Sequence, residues 1–347
     1  MRRQNGIPLP ESITPGATIL VDHRNLFRKG LNLTGTVTTS NLMDPRDIGY
    51  KIEIKKPYIF GEKDPKKTAI NCIIFNSRRI SSVFTAGPTG DDVPPVFVHR
   101  SGCKVCLEEQ YSCNSRGSVG VVVQEVMTYD DAGTVVARGC RDAQQNDGPP
   151  TTLGEGQDQQ VYLQGSVIRD NTYSVQGCPV GSRDIYTVDQ GTGIGGFFNR
   201  CVVSLTRFVK IYESVKPKPP VVLVLHGKGG FTIGDLAAYD AFPLGGPHSV
   251  RGINLGELGT CRRFLEVATE LRMPTPIVDQ QMYLFWEYGS DLRSSADVPG
   301  NPTVYFRKPG SGMTYGGGVK VGPARFEYSR DLNLGRGSLM LNIGERF

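Results

Sequence analysis

"PPVVLVLHGKGG", residues Pro219 to Gly230, admits two readings, and the choice between them decides the fold. An apolar strand running into His-Gly-x-Gly-Gly is how many α/β-hydrolases place the backbone N–H groups of an oxyanion hole. The same letters also describe one strand of a larger sheet, ending at a glycine turn. A hydrolase of that kind needs a Gly-x-Ser-x-Gly elbow. No serine of this chain has glycine at both −2 and +2; Ser118 comes nearest, with Gly120 after it but Arg116 before it. The hydrolase scaffold also needs helices alternating with parallel strands, so the rest of the chain decides.

Outside this stretch the signal is period 2, repeated along the chain. In "GLNLTGTVTTS", Leu31, Leu33, Gly35 and Val37 share one face, and Asn32, Thr34, Thr36 and Thr38 the other. "YKIEIKK" alternates Tyr50, Ile52 and Ile54 with Lys51, Glu53 and Lys55. "MYLFWEYG" sets Met282, Leu284, Trp286 and Tyr288 against Tyr283, Phe285, Glu287 and Gly289. "PARFEYS" sets Ala324, Phe326 and Tyr328 against Arg325, Glu327 and Ser329. Such alternation describes strands with one apolar and one wet face. "RRFLEVATELRM" fits helical spacing nearly as well, through Phe264, Val267, Ala268 and Leu271. It is read as a strand because Leu265, Val267, Thr269 and Leu271 alternate with Glu266, Ala268, Glu270 and Arg272. No other stretch competes as a long helix, so "VVLVLHGKGG" becomes one more strand ending at a glycine turn.

Composition agrees with a turn-rich β protein. The chain has 43 Gly and 23 Pro in 347 residues, and its hydrophobic content of 38% lies below the ~45–50% of ordinary globular domains, a reference that counts Gly. Net charge is a mild +5, and no Arg/Lys run carries the interleaved aromatics of a nucleic-acid groove. No window approaches the ~18 apolar residues of a membrane helix, which leaves a membrane barrel open. "MRRQNGIPLPESITPG" has two arginines but no apolar core, so it does not read as a secretory signal. The leader 1–16 is expected to be flexible, and a barrel domain to occupy 17–347.

Several local motifs carry no site. Cys103-Lys-Val-Cys106 on a strand would point its thiols to opposite faces, and no second pair at matching spacing completes a zinc site. Asp189 to Gly196, "DQGTGIGG", lacks the Lys-Ser/Thr of a phosphate loop and a following helix. His23, His99, His226 and His248 define no cluster. No catalytic residue, metal site or cofactor is expected.

Alternation alone does not separate a soluble sandwich from a membrane barrel. Three features favour the barrel. Roughly fifteen strands recur, at a spacing of about 23 residues that suits membrane barrels. Aromatics sit near strand ends, as in "KKPYIFGE" and "FWEYGSD", where interfacial girdles fall. Connectors are uneven, with Asp130 to Asp158 and Ile233 to Gly259 long and polar. The expected fold is therefore an all-β transmembrane antiparallel barrel of about fifteen to sixteen strands, with a long loop, about 233–261, inserted into its lumen.

Ala241 to Gly259, "AFPLGGPHSVRGINLGELG", is the most specific stretch. It resembles the lumen-inserted loop of the bacterial outer-membrane assembly barrels, with a Val-Arg-Gly core at Val250, Arg251 and Gly252, followed by Ile253 where an aromatic is common. Phe285, Glu287 and Gly289 resemble the partner motif on a nearby strand, with Glu where Asp is common. Within that superfamily "VDHRNL", "FNSRRISSVFTAGP", "DVPPVFVHRSG", "YDAFPLGG" and "IGERF" are similar to the protein-import channel of the chloroplast outer envelope, the Toc translocon barrel. Full-length members carry POTRA domains before a sixteen-strand barrel, and neither those domains nor a convincing first strand is read here.

The resemblance implies a plastid outer-envelope channel for unfolded precursor proteins, not an enzyme, working in membrane lipid with other translocon subunits and without nucleic acid. Two alternatives stand beside it: a non-conducting accessory that pairs through an open edge, and a soluble β-rich binding protein. Arg251 is expected to present its planar fork to Glu287, or else to be a solvated loop arginine. Water in the lumen is expected to reduce that pair toward ~1 kcal/mol. The lumen face is expected to carry Lys51, Glu53, Lys55, Glu266, Glu270, Arg272, Arg325 and Glu327. Alkaline carbonate extraction of isolated envelopes should leave the chain in the pellet; recovery in the supernatant would remove the barrel reading.

Overall fold

The computed structural model describes residues 3–4, 7–8, 17–39, 48–61, 64–83, 95–139, 148–192, 196–212, 220–275, 280–299 and 309–347. Fifteen long strands form one antiparallel meander among the described residues. In chain order they are β1 (Ala17–Leu26), β2 (Leu31–Thr39), β3 (Ile48–Lys56), β4 (Ala69–Ile80), β5 (Phe97–Ser112), β6 (Ser115–Tyr129), β7 (Gln157–Asp170) and β8 (Cys178–Gly191). They continue as β9 (Phe198–Tyr212), β10 (Val221–Gly234), β11 (Arg263–Pro274), β12 (Gln280–Ser290), β13 (Ser311–Val321), β14 (Ala324–Asp331) and β15 (Gly337–Ile343). A short strand, Tyr173–Val175, pairs with β8 and makes the sheet sixteen-stranded. The expected leader 1–16 lies outside the described residues except for the backbone pair Arg3–Gln4 with Ile7–Pro8.

The stretch that posed the question is β10, but its glycines do not turn the chain. The strand runs on through Phe231 to Gly234, paired with β9 and with β11 in register Val222↔Arg272 and Gly230↔Phe264. Gly230 is a hollow on the inner face, since a Cβ there would lie 2.6 Å from Phe264 Cε1. His226 and Lys228 share that inner face, while Leu225 and Phe231 point outward and are exposed. The ambiguous 262–272 segment is β11, held as a strand by ladders on both sides.

Alternation places the apolar side outward. On β12 Leu284 and Trp286 are exposed, while Tyr283, Phe285 and Glu287 are buried. On β14 Phe326 and Tyr328 are exposed, while Arg325, Glu327 and Ser329 are buried. Charged residues buried inside and large apolar residues exposed outside invert a soluble sandwich and match a barrel in lipid. Cys103 and Cys106 lie on β5, the first exposed and the second buried.

The long connections fall on one rim: 81–96, 130–156, 235–262 and 291–310 all join strands at the same end of the meander. The lumen loop therefore spans 235–262, since β10 takes Ile233 and Gly234. It fills the inside unequally. Inner positions of β11, β12 and β14 are buried, whereas β1 is exposed on both faces from Thr18 to Asn25.

The last strand has 7 residues and the first 10, so a seam between them offers few ladder positions. Cysteines at Ile19 and Leu341 should crosslink less efficiently than cysteines at Ile19 and Val37, which are register partners in β1 and β2. Equal efficiency would show a fully formed seam.

Candidate functional site

The lumen loop is built as a small hairpin. Phe242–Leu244 pairs with Gly259–Cys261, and the tip between them folds back through a Gly246 N–H donated to the Ile253 carbonyl at 2.8 Å. Leu244, Val250, Ile253, Leu258 and Cys261 cluster beneath this tip with Phe264 of β11. Ile253 thus fills an apolar site. Two glycines permit close approach to the wall. Gly252 has φ +81°, where a side chain is strained, and a Cβ on it would lie 2.2 Å from Ser329 Oγ of β14. A Cβ on Gly289 of β12 would lie 2.8 Å from Val250 Cγ2.

That approach delivers Arg251 into an acidic wall. Its backbone N–H donates to Glu287 Oε2 at 2.7 Å and its Nε to Glu287 Oε1 at 2.7 Å. Nη1 donates to Glu327 Oε1 at 2.9 Å, and Nη2 lies 3.1 Å from Glu270 Oε2. The guanidinium also sits 3.5 Å above the ring centre of Phe285, a cation–π contact. Phe285, Glu287 and Gly289 point inward from alternate positions of one strand, and each meets the loop tip.

The wall charges are themselves paired. Arg325 Nη2 donates to Glu270 Oε2 at 3.0 Å, Arg272 Nε to Glu270 Oε1 at 2.8 Å, and the Tyr283 hydroxyl to Glu327 Oε1 at 2.7 Å. Arg251, Glu270 and Glu287 side chains are all 0% exposed. The expectation of a wet pair worth ~1 kcal/mol therefore does not fit this geometry. The buried regime applies, in which removing one partner costs ~3–5 kcal/mol because a charge is left uncompensated. Burial works against the Arg251 charge, but Glu287, Glu270 and Glu327 outweigh it and hold its pKa above the ordinary arginine value.

The other expected lumen charges lie elsewhere. Glu266 accepts from Ser249 of the loop and lies 3.7 Å from Lys228. Lys51, Glu53 and Lys55 sit in the open half of the lumen, where Lys51 pairs with Glu53 at 2.8 Å and Lys55 with Glu108 of β5 at 2.6 Å.

Two features escaped sequence reasoning. Residues after β15 turn inward: Arg346 donates to Glu287 and to the Ser249 carbonyl, and the Phe347 ring centre lies 4.7 Å from that of His226. A second anchor holds the arm that leads into the hairpin, where Ala238–Asp240 forms one 3₁₀ turn. Asp240 Oδ1 accepts from Arg100 at 3.0 Å and Arg200 at 3.3 Å, and Oδ2 from Gln160 at 3.1 Å. The Tyr239 hydroxyl donates to Asp158 Oδ2 at 2.8 Å. Burial raises the Asp240 carboxyl pKa, but Arg100 and Arg200 outweigh it and hold it below the usual carboxylate range. "YDAFPLGG" contains both residues, yet their partners lie 40 to 140 positions away in sequence and no local spacing announces them.

An outward-apolar barrel with an inserted loop locked by an arginine defines an outer-membrane-type barrel carrying its own internal plug. The chain belongs to the Omp85 superfamily, whose domain matches residues 25–347. It is 45% identical to chloroplast TOC75 of Pisum sativum over 99% of this chain and 44% of that protein, so it spans less than half the length of that relative. It is 43% identical to chloroplast TOC75-4 of Arabidopsis thaliana, over 91% of this chain and 83% of that one. Among solved structures it is similar in fold to BamA from Haemophilus ducreyi lacking POTRA domains 1–3, with TM-score 0.69, 12% identity, and coverage of 94% of this chain and 66% of that one.

Arg251→Ala should free the tip and lower thermal stability in detergent. Glu287→Ala should do less, because Arg251 keeps Glu270 and Glu327. The double variant should match Arg251→Ala alone. Losses that simply add would mean that the contact contributes nothing.

Proposed function

We propose that this chain is a β-barrel channel component of the plastid outer envelope, engaged in import or membrane insertion of precursor proteins with other translocon subunits. The observation that carries this reading is the division of the lumen among the described residues: one half is filled by a bolted loop, and in the other polar side chains such as Lys51 and Glu53 stay accessible. The likeness to the chloroplast TOC75 proteins supports the plastid location. Passage through such a lumen needs a polar lining and a held loop, not a catalytic residue. Arg251 and Glu287 are assigned to hold the loop, with Val250, Gly252, Ile253, Phe285 and Gly289 shaping its seat.

The open half carries both signs of charge at close range, as in Lys51 with Glu53 and Lys55 with Glu108. Weak ion selectivity follows. The short final strand supports a second reading, a non-conducting accessory that pairs through its edge. Purified protein in planar bilayers should show stepwise, weakly selective conductance, reduced by an unfolded precursor added to one side. Silent bilayers would favour the accessory.

A further inference from the structure

The loop is held at two places of different character. Around Arg251 the contacts are dry, multiply bonded and backed by the apolar cluster under the tip. Around Asp240 they are damper: the side chains of Arg100 and Arg200 are 27% and 22% exposed and Asp240 9%, against 0% for Arg251 and its partner Glu287. Exposed ion pairs are weak and screened by salt, while dry ones are not.

The consequences of separation differ even more. Without Arg251, Glu287 would face Arg346 alone and Glu327 would lose its shortest guanidinium bond, both carboxylates being at most 1% exposed. Without Asp240 the charged wall partners keep an ion pair, backbone donors or solvent. Arg200 retains Asp189, with Nη2 to Oδ2 at 2.6 Å, while Gln160 keeps the Gln124 bond to its Oε1 at 2.7 Å and gives up the uncharged Nε2 bonds to Tyr239 and Asp240. Asp158 keeps the backbone N–H groups of Leu153 and Gly154, at 2.9 and 2.7 Å. Arg100 already reaches solvent. Letting go at Asp240 leaves Arg200 on Asp189, whereas letting go at Arg251 takes a guanidinium contact from three carboxylates at once, each at most 1% exposed.

Space for movement lies beside the same arm. A cleft of about 380 Å³ runs between it and the wall, lined by Arg79, Arg100, Tyr239, Ala241, Pro243 and Leu255. We propose that the loop opens at Tyr239 and Asp240, so that residues 235–241 form a moving shutter and the Arg251 tip is its fixed mount. Opening widens the cleft on the side of β4 and β5, toward the half of the lumen that the hairpin leaves free. This deepens the channel reading by naming the part of the loop that moves.

The test uses the full chain in detergent, where no conduction is needed, so it stands apart from the bilayer experiment. Single cysteines replace Ala237 in the arm or Ile253 in the tip, both buried. Labelling by a water-soluble maleimide is followed at each position by peptide mass spectrometry. Asp240→Asn, close in shape but uncharged, should speed labelling at position 237 about fivefold, the factor that about 1 kcal/mol of pairing confers, and leave position 253 unchanged. Raising salt should accelerate position 237 with Asp240 intact, an arm that needs no second variant to fold. Equal acceleration at both positions would show the loop moving as one body, and no acceleration at position 237 in either arm would show a static one; each overturns the proposal.

Discussion

Lipid offers no hydrogen bonds, so a chain that crosses it in strands must pair its backbone and turn its apolar side chains outward. Everything else here follows from that constraint. The meander pairs every strand with its sequence neighbours, and strands such as β12 present Leu284 and Trp286 outward. The residues that lipid rejects are left to the lumen, where Glu270, Arg272, Glu287, Arg325 and Glu327 must find partners among themselves or from a loop. Arg251 is the partner the loop supplies.

A wall charge buried for the sake of the outer face becomes the receptor for the plug. Arg272, Arg325 and Arg346 each pair with part of this acidic cluster, and Arg251 with its planar fork serves all three carboxylates at once. Small residues make the delivery geometrically possible: Gly289 yields to Val250, and Gly316 of β13 makes room for Phe285, whose ring would lie 2.6 Å from a Cβ there. The arm then meets a basic wall at Arg100 and Arg200 through Asp240. One loop thus carries a cation to an acidic surface and an anion to a basic one, which orients it without ambiguity.

Legibility in the sequence tracked the range of the interaction. Period-2 alternation is local, so strands such as β2, β3, β12 and β14 were readable from their own residues, and so was β11 despite its helical spacing. The Arg251 partnership was readable only through resemblance, because Glu287 lies 36 positions on and a loop arginine facing water has the same local sequence. Its dryness was not readable, since exposure is a property of the packed hairpin. The glycines of "HGKGG" misled for the same reason: a turn and an inner-face hollow use the same residue, and only Phe264 across the ladder tells them apart.

By itself the sequence determined the strand pattern, the lipid-facing side of each strand and the position of the long loop, because these depend on side-chain alternation and on residues too polar to span. The tertiary structure alone decided which half of the lumen is filled and which charges meet. It also decided that Asp240 has a wall to hold it, because such contacts join residues brought together only when the sheet curls around the loop.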